Sequence, residues 1–291
     1  MYVAGFEAVV VNAFHLHGMM SETIREGEWP IPVHLLVEPT LLGTGGGIRN
    51  ALDFFDDEPF AVVNGDIVCR LPLERLFDQH LESGVPVSLL MHDCPSFNNV
   101  AVSEEGGILG FGSEAKRLNE ERSDVRLLAF TGIHFIDPAV MRGVRRGNAA
   151  EIVPLYRELI EGGHPPRALF HPELYWREIG SLRAYHDLNQ ELSQLPDGYL
   201  APLPTGIPRC LAPSVSVAHG ALLEGTVVAG KGTRIMEGVE LENVILWDDV
   251  LIERGSRLRN CIVTDRVRAN GSHENEILIE GGSERLFLRS G

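Results

Sequence analysis

The stretch VSVAHGALLEGTVVAGKGTRIMEGVEL, residues 215–241, repeats its pattern every six residues. Apolar or small pairs fall at Val215/Val217, Ala221/Leu223, Val227/Ala229, Thr233/Ile235 and Val239/Leu241, with Gly220, Gly225, Gly232 and Gly238 between them. After one five-residue step the pairs resume at Val244/Leu246, Val250/Ile252, Ser256/Leu258 and Ile262/Thr264, and Gly255 again marks a turn. A hexapeptide period predicts a parallel β-helix in which each short strand stacks on the coil below, here about three triangular coils. An ordinary antiparallel sheet is the competing reading, and it does not explain why the repeat persists for so long. Past Gly271 the register is lost, and Ile277–Ile279 with Leu286–Leu288 are expected to form a closing hairpin.

On the N-terminal side of the repeat, LPDGYLAPLPTGIP (residues 195–208) is rich in proline and glycine and has no periodic apolar face, so it reads as a linker. Before it the pattern changes again. Apolar runs at Ala8–Asn12, Val33–Val37, Phe60–Asn64, Val87–Met91 and Ala129–Ile136 alternate with amphipathic stretches such as Leu73–Glu82 and Ile152–Glu161. Continuous apolar strands alternating with helices predict a parallel or mixed sheet covered on both faces. The expected organisation is an α/β domain over 1–194, a linker over 195–210, the hexapeptide solenoid over 211–270 and a tail over 271–291.

The 291 residues suffice for about two domains. A hydrophobic fraction of 44% and 23% charged residues are ordinary for a globular protein. No apolar run approaches the roughly 20 residues of a membrane span, and the first residues lack the pattern of a signal peptide. The expectation is a cytoplasmic protein with no membrane partner. Cys69, Cys94, Cys210 and Cys261 are far apart and form no CxxC pair, which favours reduced thiols over a zinc site. A net charge of −16 argues against a nucleic-acid partner. The only lysines are Lys116 and Lys231, so a nucleotide would rest on backbone amides, arginines and a metal ion.

Three stretches carry candidate chemistry. In LLGTGGGIRNALDFF (41–55), Ile48, Ala51, Leu52 and Phe55 mark one face of a helix expected to begin near Gly45 or Gly46. Its free amides and dipole would point out of Gly43–Gly47, where missing Cβ atoms let a planar or anionic group approach. A tight strand-to-helix turn with no ligand is the competing reading of this stretch alone, and no Gly-Lys-Ser/Thr follows, so it is not a P-loop. In PFAVVNGDIV (59–68), Asn64-Gly65-Asp66 sits at the carboxyl end of a buried strand, the edge where ligands bind in open α/β sheets. Asp66 is placed there to ligate Mg²⁺ beside a phosphate, or merely to form a turn. In LYWREIG (174–180), Glu178 ends another short apolar run. Two carboxylates from different strands make a credible magnesium site where one does not. His15-x-His17 lacks a third ligand and reads as loop histidines. His219 lies within the repeat without an inserted loop, which argues against acyl transfer by the solenoid.

The order EPTLLGTGGGIRNAL (38–52), VNGD (63–66), AFTGIHFIDP (129–138) and YWREIG (175–180), followed by hexapeptide repeats, resembles the sugar-1-phosphate nucleotidyltransferases, or NDP-sugar pyrophosphorylases. Within them it is most similar to mannose-1-phosphate guanylyltransferase-like proteins. The resemblance covers about residues 4–265. It implies a Rossmann-like, GT-A type α/β domain followed by a left-handed parallel β-helix. It further implies that Glu38, Gly43, Thr44, Gly45, Gly46 and Gly47, with Asn64 and Gly65, bind the nucleotide, and that Asp66 and Glu178 are the catalytic, metal-holding pair for Mg²⁺. Asn99, Thr131 and Gly132 fall near the sugar, Thr131-Gly132 as a backbone contact. Glu178 stands where the family usually has aspartate in a Trp-x-Asp-x-Gly pattern, so the charge is kept on an arm one methylene longer. The implied substrates are a nucleoside triphosphate and a sugar 1-phosphate, and the flat coils of the solenoid would offer stacking surfaces to a homo-oligomer.

The family's glycine-rich loop with Thr-Arg or Ser-Arg, followed by Pro-Lys-Pro, is not found in this sequence; Met1–Asn12 matches the segment after it. The resemblance therefore implies a domain without its first strand, phosphate loop and first helix. That strand would lie mid-sheet, leaving its neighbours with unpaired edges and apolar faces. Two readings follow: an enzyme whose loop is encoded upstream, or a non-catalytic homologue that binds a sugar nucleotide or a partner subunit.

Overall fold

The computed structural model describes residues 4–171 and 173–286. They form two compact units: residues 4–65 with 70–175, and residues 66–69 with 176–286. The division falls ahead of residue 194 because the helix over 182–192 packs on the solenoid. No helix among the described residues is long and apolar enough to cross a membrane, and the four cysteines are free.

The first unit runs β1 (Val9–Ala13), α1 (His17–Glu26), β2 (Val33–Val37), α2 (Gly43–Ala51) and β3 (Phe60–Val63). After a short strand β4 (Ile67–Arg70) come α3 (Leu73–Ser83), β5 (Val87–His92), β6 (Val100–Ser103), β7 (Ile108–Phe111), α4 (Ser113–Glu121) and β8 (Val125–Ile136). The unit closes with α5 (Pro138–Met141), α6 (Ile152–Glu161) and β9 (Arg167–Phe170). Its main sheet has the order β7-β6-β8-β5-β9, with β3 also on β8, and it is mixed: β5 is parallel to β9 but antiparallel to β8. Alternating side chains send Phe60, Val87, Leu89, Met91, Val100 and Val102 into a core shared with Ile48 of α2, Met141 of α5 and Tyr156 of α6. On the opposite face Phe135 meets Phe77 of α3, and Ala101 packs with Ala115 of α4. The expected strands and helices are present, with α1 in addition, which takes His17 into its first turn.

β1 and β2 form a separate parallel pair. Among the described residues β1 pairs only with β2 and β3 only with β8, so each keeps one unpaired edge. The cost shows in the burial. Val87–Met91 of β5 is buried throughout, whereas the equally apolar Val9–Val11 and Ala61–Val63 are only half-buried.

In the second unit β10 (Tyr175–Glu178) pairs with β4, and α7 (Leu182–Leu192) follows, with Ser181 accepting a cap bond from the Ala184 amide. The solenoid then runs β11 (Arg209–Leu211), β12 (Ser216–Val217), β13 (Leu222–Ala229), β14 (Arg234–Ile235), β15 (Glu240–Leu246), β16 (Leu251–Ile252), β17 (Arg257–Val263), β18 (Arg268–Ala269), β19 (Ser272–Glu274), β20 (Glu276–Ile279) and β21 (Gly282–Arg285). It is the expected parallel β-helix: β11-β13-β15-β17-β20 and β12-β14-β16-β18 stack in parallel, coil on coil. The inward pairs build one apolar column, and Thr233 enters it by donating its hydroxyl to the Trp247 carbonyl at 2.9 Å.

Two details differ from the periodic reading. A second five-residue step occurs after Ser256/Leu258, so Cys261 and Val263 enter the column while Ile262 turns outward to a separate cluster with Ile245, Ile277 and Tyr185 of α7. The closing hairpin exists, but its second strand is β21, antiparallel to β20; Phe287 and Leu288 lie outside the described residues.

The shortened steps have a local cause. Gly225 and Thr226 of one coil oppose the single residue Asn243 of the next, which turns the corner in the left-handed region at φ 55°. Asn260 and Asn275 repeat this at φ 48° and 58°, and their amides form a ladder: Asn243 donates to Asn260 at 3.4 Å and Asn260 to Asn275 at 3.2 Å. Asn260→Ala is expected to cost about 2 kcal/mol, from the left-handed backbone and the broken ladder together. Asn260→Gly should recover the backbone share. Denaturant unfolding of the three proteins checks this; equal loss in both variants would assign everything to the amide.

Candidate functional site

Asp66 reaches its position through two hydrogen-bonded steps. At the end of β3, the Asn64 amide donates to the Gly132 carbonyl at 3.1 Å, so the Asn64-Gly65 and Thr131-Gly132 motifs, far apart in sequence, lie side by side. The chain then turns through exposed Gly65 and Asp66 into β4. Pairing of β4 with β10 brings Glu178 to the same place: the Ile179 amide donates to the Asp66 carbonyl at 2.8 Å.

The two carboxylates converge on Gly180. Its amide donates to Glu178 Oε1 at 2.8 Å. A Cβ built on Gly180 would lie 2.2 Å from that oxygen and 3.1 Å from Asp66 Oδ2. The sum of those two distances bounds the separation of the oxygens, so two anionic side chains from different strands share one small volume. Neither forms an ion pair among the described residues. The neighbouring Arg177 is instead held by Glu191 of α7, with guanidinium-to-carboxylate distances of 2.7 and 2.6 Å. The donor set is all hard oxygen, which fits Mg²⁺ held by one or two carboxylates with its other positions left to water and phosphate. No group of three or more metal-ligating side chains occurs among the described residues.

In the first unit, the glycine turn is built differently from expectation. The helix α2 begins at Gly43 rather than near Gly45 or Gly46, and Gly45, Gly46 and Gly47 are buried. The space their missing side chains leave is taken by protein. A Cβ at Gly46 would meet the Asn148 carbonyl at 2.5 Å, one at Gly45 the Ala150 carbonyl at 3.0 Å, and one at Gly47 the Glu38 carboxylate at 2.8 Å. The segment before α6 is anchored there by the Gly46 amide donating to Ala150 at 3.0 Å and the Ala150 amide donating to Leu42 at 2.8 Å. These glycines admit a neighbouring backbone, and of the turn only Thr44 is exposed.

Glu38 is likewise committed inward. It is 7% exposed, accepts from the Leu42 amide at 3.1 Å with one oxygen, and from the Asn12 side chain at 3.2 Å with the other. Asn12 also donates to the Gly47 carbonyl at 3.0 Å, so Asn12 and Glu38 together staple β1 and β2 to the turn. Asn12 carried no distinguishing sequence signal. Arg49, the cation nearest the turn in sequence, donates to the Val144 carbonyl at 2.9 Å.

Around the third group, the Thr131 hydroxyl donates to the Leu90 carbonyl at 2.8 Å, and both Thr131 and Gly132, the latter at φ 76°, are buried. Asn99 is exposed ahead of β6, and Asn98 braces the same loop by accepting from the Cys94 amide at 2.9 Å and donating to Asp93 at 2.8 Å. His219 occupies an exposed turn of the solenoid.

Comparison with known proteins places the chain in a family. The family model described as nucleotidyl transferase matches residues 1–194. A mannose-1-phosphate guanylyltransferase of Mycobacterium tuberculosis is 23% identical over 263 residues, covering 87% of this chain and 70% of that protein. Mannose-1-phosphate guanylyltransferase 1 of Arabidopsis thaliana is 25% identical, with coverages of 91% and 70%. A glucose-1-phosphate adenylyltransferase of Sinorhizobium fredii is 24% identical, with coverages of 77% and 65%, so the chain spans about two thirds of the length of these relatives. Among solved structures, HddC from Yersinia pseudotuberculosis, also crystallised with GMP-PN, shares the fold at TM-scores of 0.51 and 0.52, with 14% and 15% identity, over 64% of this chain and 79% of that one.

Proposed function

This chain belongs to the nucleotidyl transferase family, and on that premise we propose that it serves the joining of a sugar 1-phosphate to a nucleoside triphosphate, giving an NDP-sugar and pyrophosphate. The finer reading is guanylyl transfer to mannose 1-phosphate, the reaction in the names of two of its relatives. The observation that carries the proposal is the convergence of Asp66 and Glu178, from separate strands, on Gly180.

The chemistry asked of these residues is positioning. The phosphate of a sugar 1-phosphate is largely a dianion at neutral pH, with a second pKa of about 6, so its attacking oxygen needs no general base. Asp66 and Glu178 would hold Mg²⁺, which when bound offsets charge on the α-phosphate as pyrophosphate leaves. Thr131 and Gly132 would present backbone to the sugar, with Asn99 near it. In the first unit, the turn from Glu38 to Gly47 would receive the nucleobase against exposed Thr44, its shape kept by the Asn12–Glu38 staple.

Pyrophosphate release from the purified chain, with GTP or ATP and mannose or glucose 1-phosphate, tests the reading. Release should require Mg²⁺. Asp66→Ala and Glu178→Ala should each lower kcat about 100-fold, or about 2.7 kcal/mol of barrier. Nucleotide binding without release under every pairing would instead identify a non-catalytic sugar-nucleotide-binding homologue.

A further inference from the structure

We propose that Gly180 is the positioning residue of the carboxylate pair, the residue that sets where the Glu178 carboxylate lies and so makes the pair competent for a divalent cation; this rests on the reading that Asp66 and Glu178 share that cation. Two contacts give Gly180 this part. Its amide fixes one oxygen of Glu178 at 2.8 Å, and its missing side chain leaves the volume in which Glu178 Oε1 and Asp66 Oδ2 come together.

The fold itself does not ask for glycine here. Gly180 is exposed, and its φ lies outside the left-handed region where side chains are strained. What a Cβ would strike first is the tip of a flexible side chain, Glu178 Oε1 at 2.2 Å, with Asp66 Oδ2 next at 3.1 Å. Backbone is absent from those contacts, in contrast to Gly46, where the obstructing atom is a main-chain carbonyl. An alanine at 180 is therefore accommodated by swinging Glu178 away, which leaves the unit folded and the site open. The longer arm of glutamate makes the requirement acute. It curls back to reach an amide two residues on, where aspartate would make the same bond in an ordinary Asx turn that tolerates a Cβ.

The test is Mn²⁺ binding to the whole chain, followed by electron paramagnetic resonance and calorimetry, with thermal unfolding by circular dichroism as the fold control. Gly180→Ala should weaken Mn²⁺ binding about tenfold or more, the scale on which residues that orient metal ligands act, with an unchanged unfolding midpoint. In the Glu178→Asp background the same substitution should have little effect, because the shorter arm clears the Cβ. Wild-type affinity in Gly180→Ala, together with loss in Asp66→Ala and Glu178→Ala, would overturn the role of Gly180 while leaving the cation site standing. Wild-type affinity in all three would remove the cation site as well. Unfolding of Gly180→Ala would overturn the proposal directly, since the contacts foresee only a displaced side-chain tip.

Discussion

Below pH 6.5 the α/β unit is expected to lose stability at about 1.4 kcal/mol per pH unit through one buried imidazole, a loss that continues to about pH 3 and reaches about 4 kcal/mol. His134 is 1% exposed near the carboxyl end of β8, edge-on to Phe130 and Tyr156, with Nδ1 hydrogen-bonded to the Tyr156 hydroxyl. Its Nε2 is buried with no hydrogen-bond partner among the described residues. A second proton on the ring would be a desolvated charge without an acceptor, and burial lowers the pKa from 6.5 to about 3. The folded state therefore refuses a proton that the unfolded chain accepts. Stability is fully present above 6.5, and acid favours unfolding throughout the interval below it. His80, whose Nδ1 meets Ser88 Oγ at 2.9 Å, is also lowered by burial, against a smaller opposing pull from Asp137, and acts in the same direction. Hydrogen exchange of the β5 and β8 amides across pH 4 to 7 checks this. His134→Gln cannot take up the proton and should flatten the slope by close to one proton; an unaltered slope would place the acid sensitivity elsewhere.

Gly46→Ala is expected to destabilise the same unit by about 3 kcal/mol, at the upper end of what overpacking a close contact costs. The new Cβ would lie 2.5 Å from the Asn148 carbonyl, 3.0 Å from Leu42 Cβ and 3.3 Å from the Ala150 amide. Two of those atoms are backbone, pinned by the Gly46–Ala150 and Ala150–Leu42 hydrogen bonds, so neither can swing aside. Relief would need the segment ahead of α6 to lift from α2, opening the core around Ile48, Ile152 and Tyr156. Gly18 of α1 is the control, because nothing lies within 4 Å of its Cβ position and its φ suits any residue. Gly18→Ala should be neutral or stabilise by up to about 1 kcal/mol through helix propensity. Thermal unfolding of both proteins decides. A Gly46→Ala protein as stable as Gly18→Ala would show that the turn has room, restoring the view of these glycines as an open surface for a ligand.

Much of the architecture was legible because the forces that shape it are local. Strand β2 and helix α6 occupy Val33–Val37 and Ile152–Glu161 as the apolar pattern alone predicts, and the six-residue period announced a parallel solenoid. The pattern failed at Cys261-Ile262-Val263, where three apolar residues in a row satisfy either phase. The left-handed corner at Asn260, stacked on Asn243, sets the phase, and Ile262 then joins Tyr185 of α7 in the outward cluster.

The candidate site divides in the same way. Sequence sufficed to nominate Asp66 and Glu178, since a carboxylate at the end of an apolar strand is visible as such. Only the pairing of β4 with β10 puts the two together, and only the tertiary arrangement shows Gly180 between them. For Gly43–Gly47 the residues alone left open whether a ligand or the protein itself uses the freed space. In the structure the Asn148 and Ala150 carbonyls, distant along the chain, lie against Gly46 and Gly45, and the Glu38 carboxylate lies against Gly47. Periodicity and residue type determine which elements form and which side chains carry charge. Which of them meet is settled by long-range pairing and packing, because the energy of a contact depends on a neighbour that no local window contains.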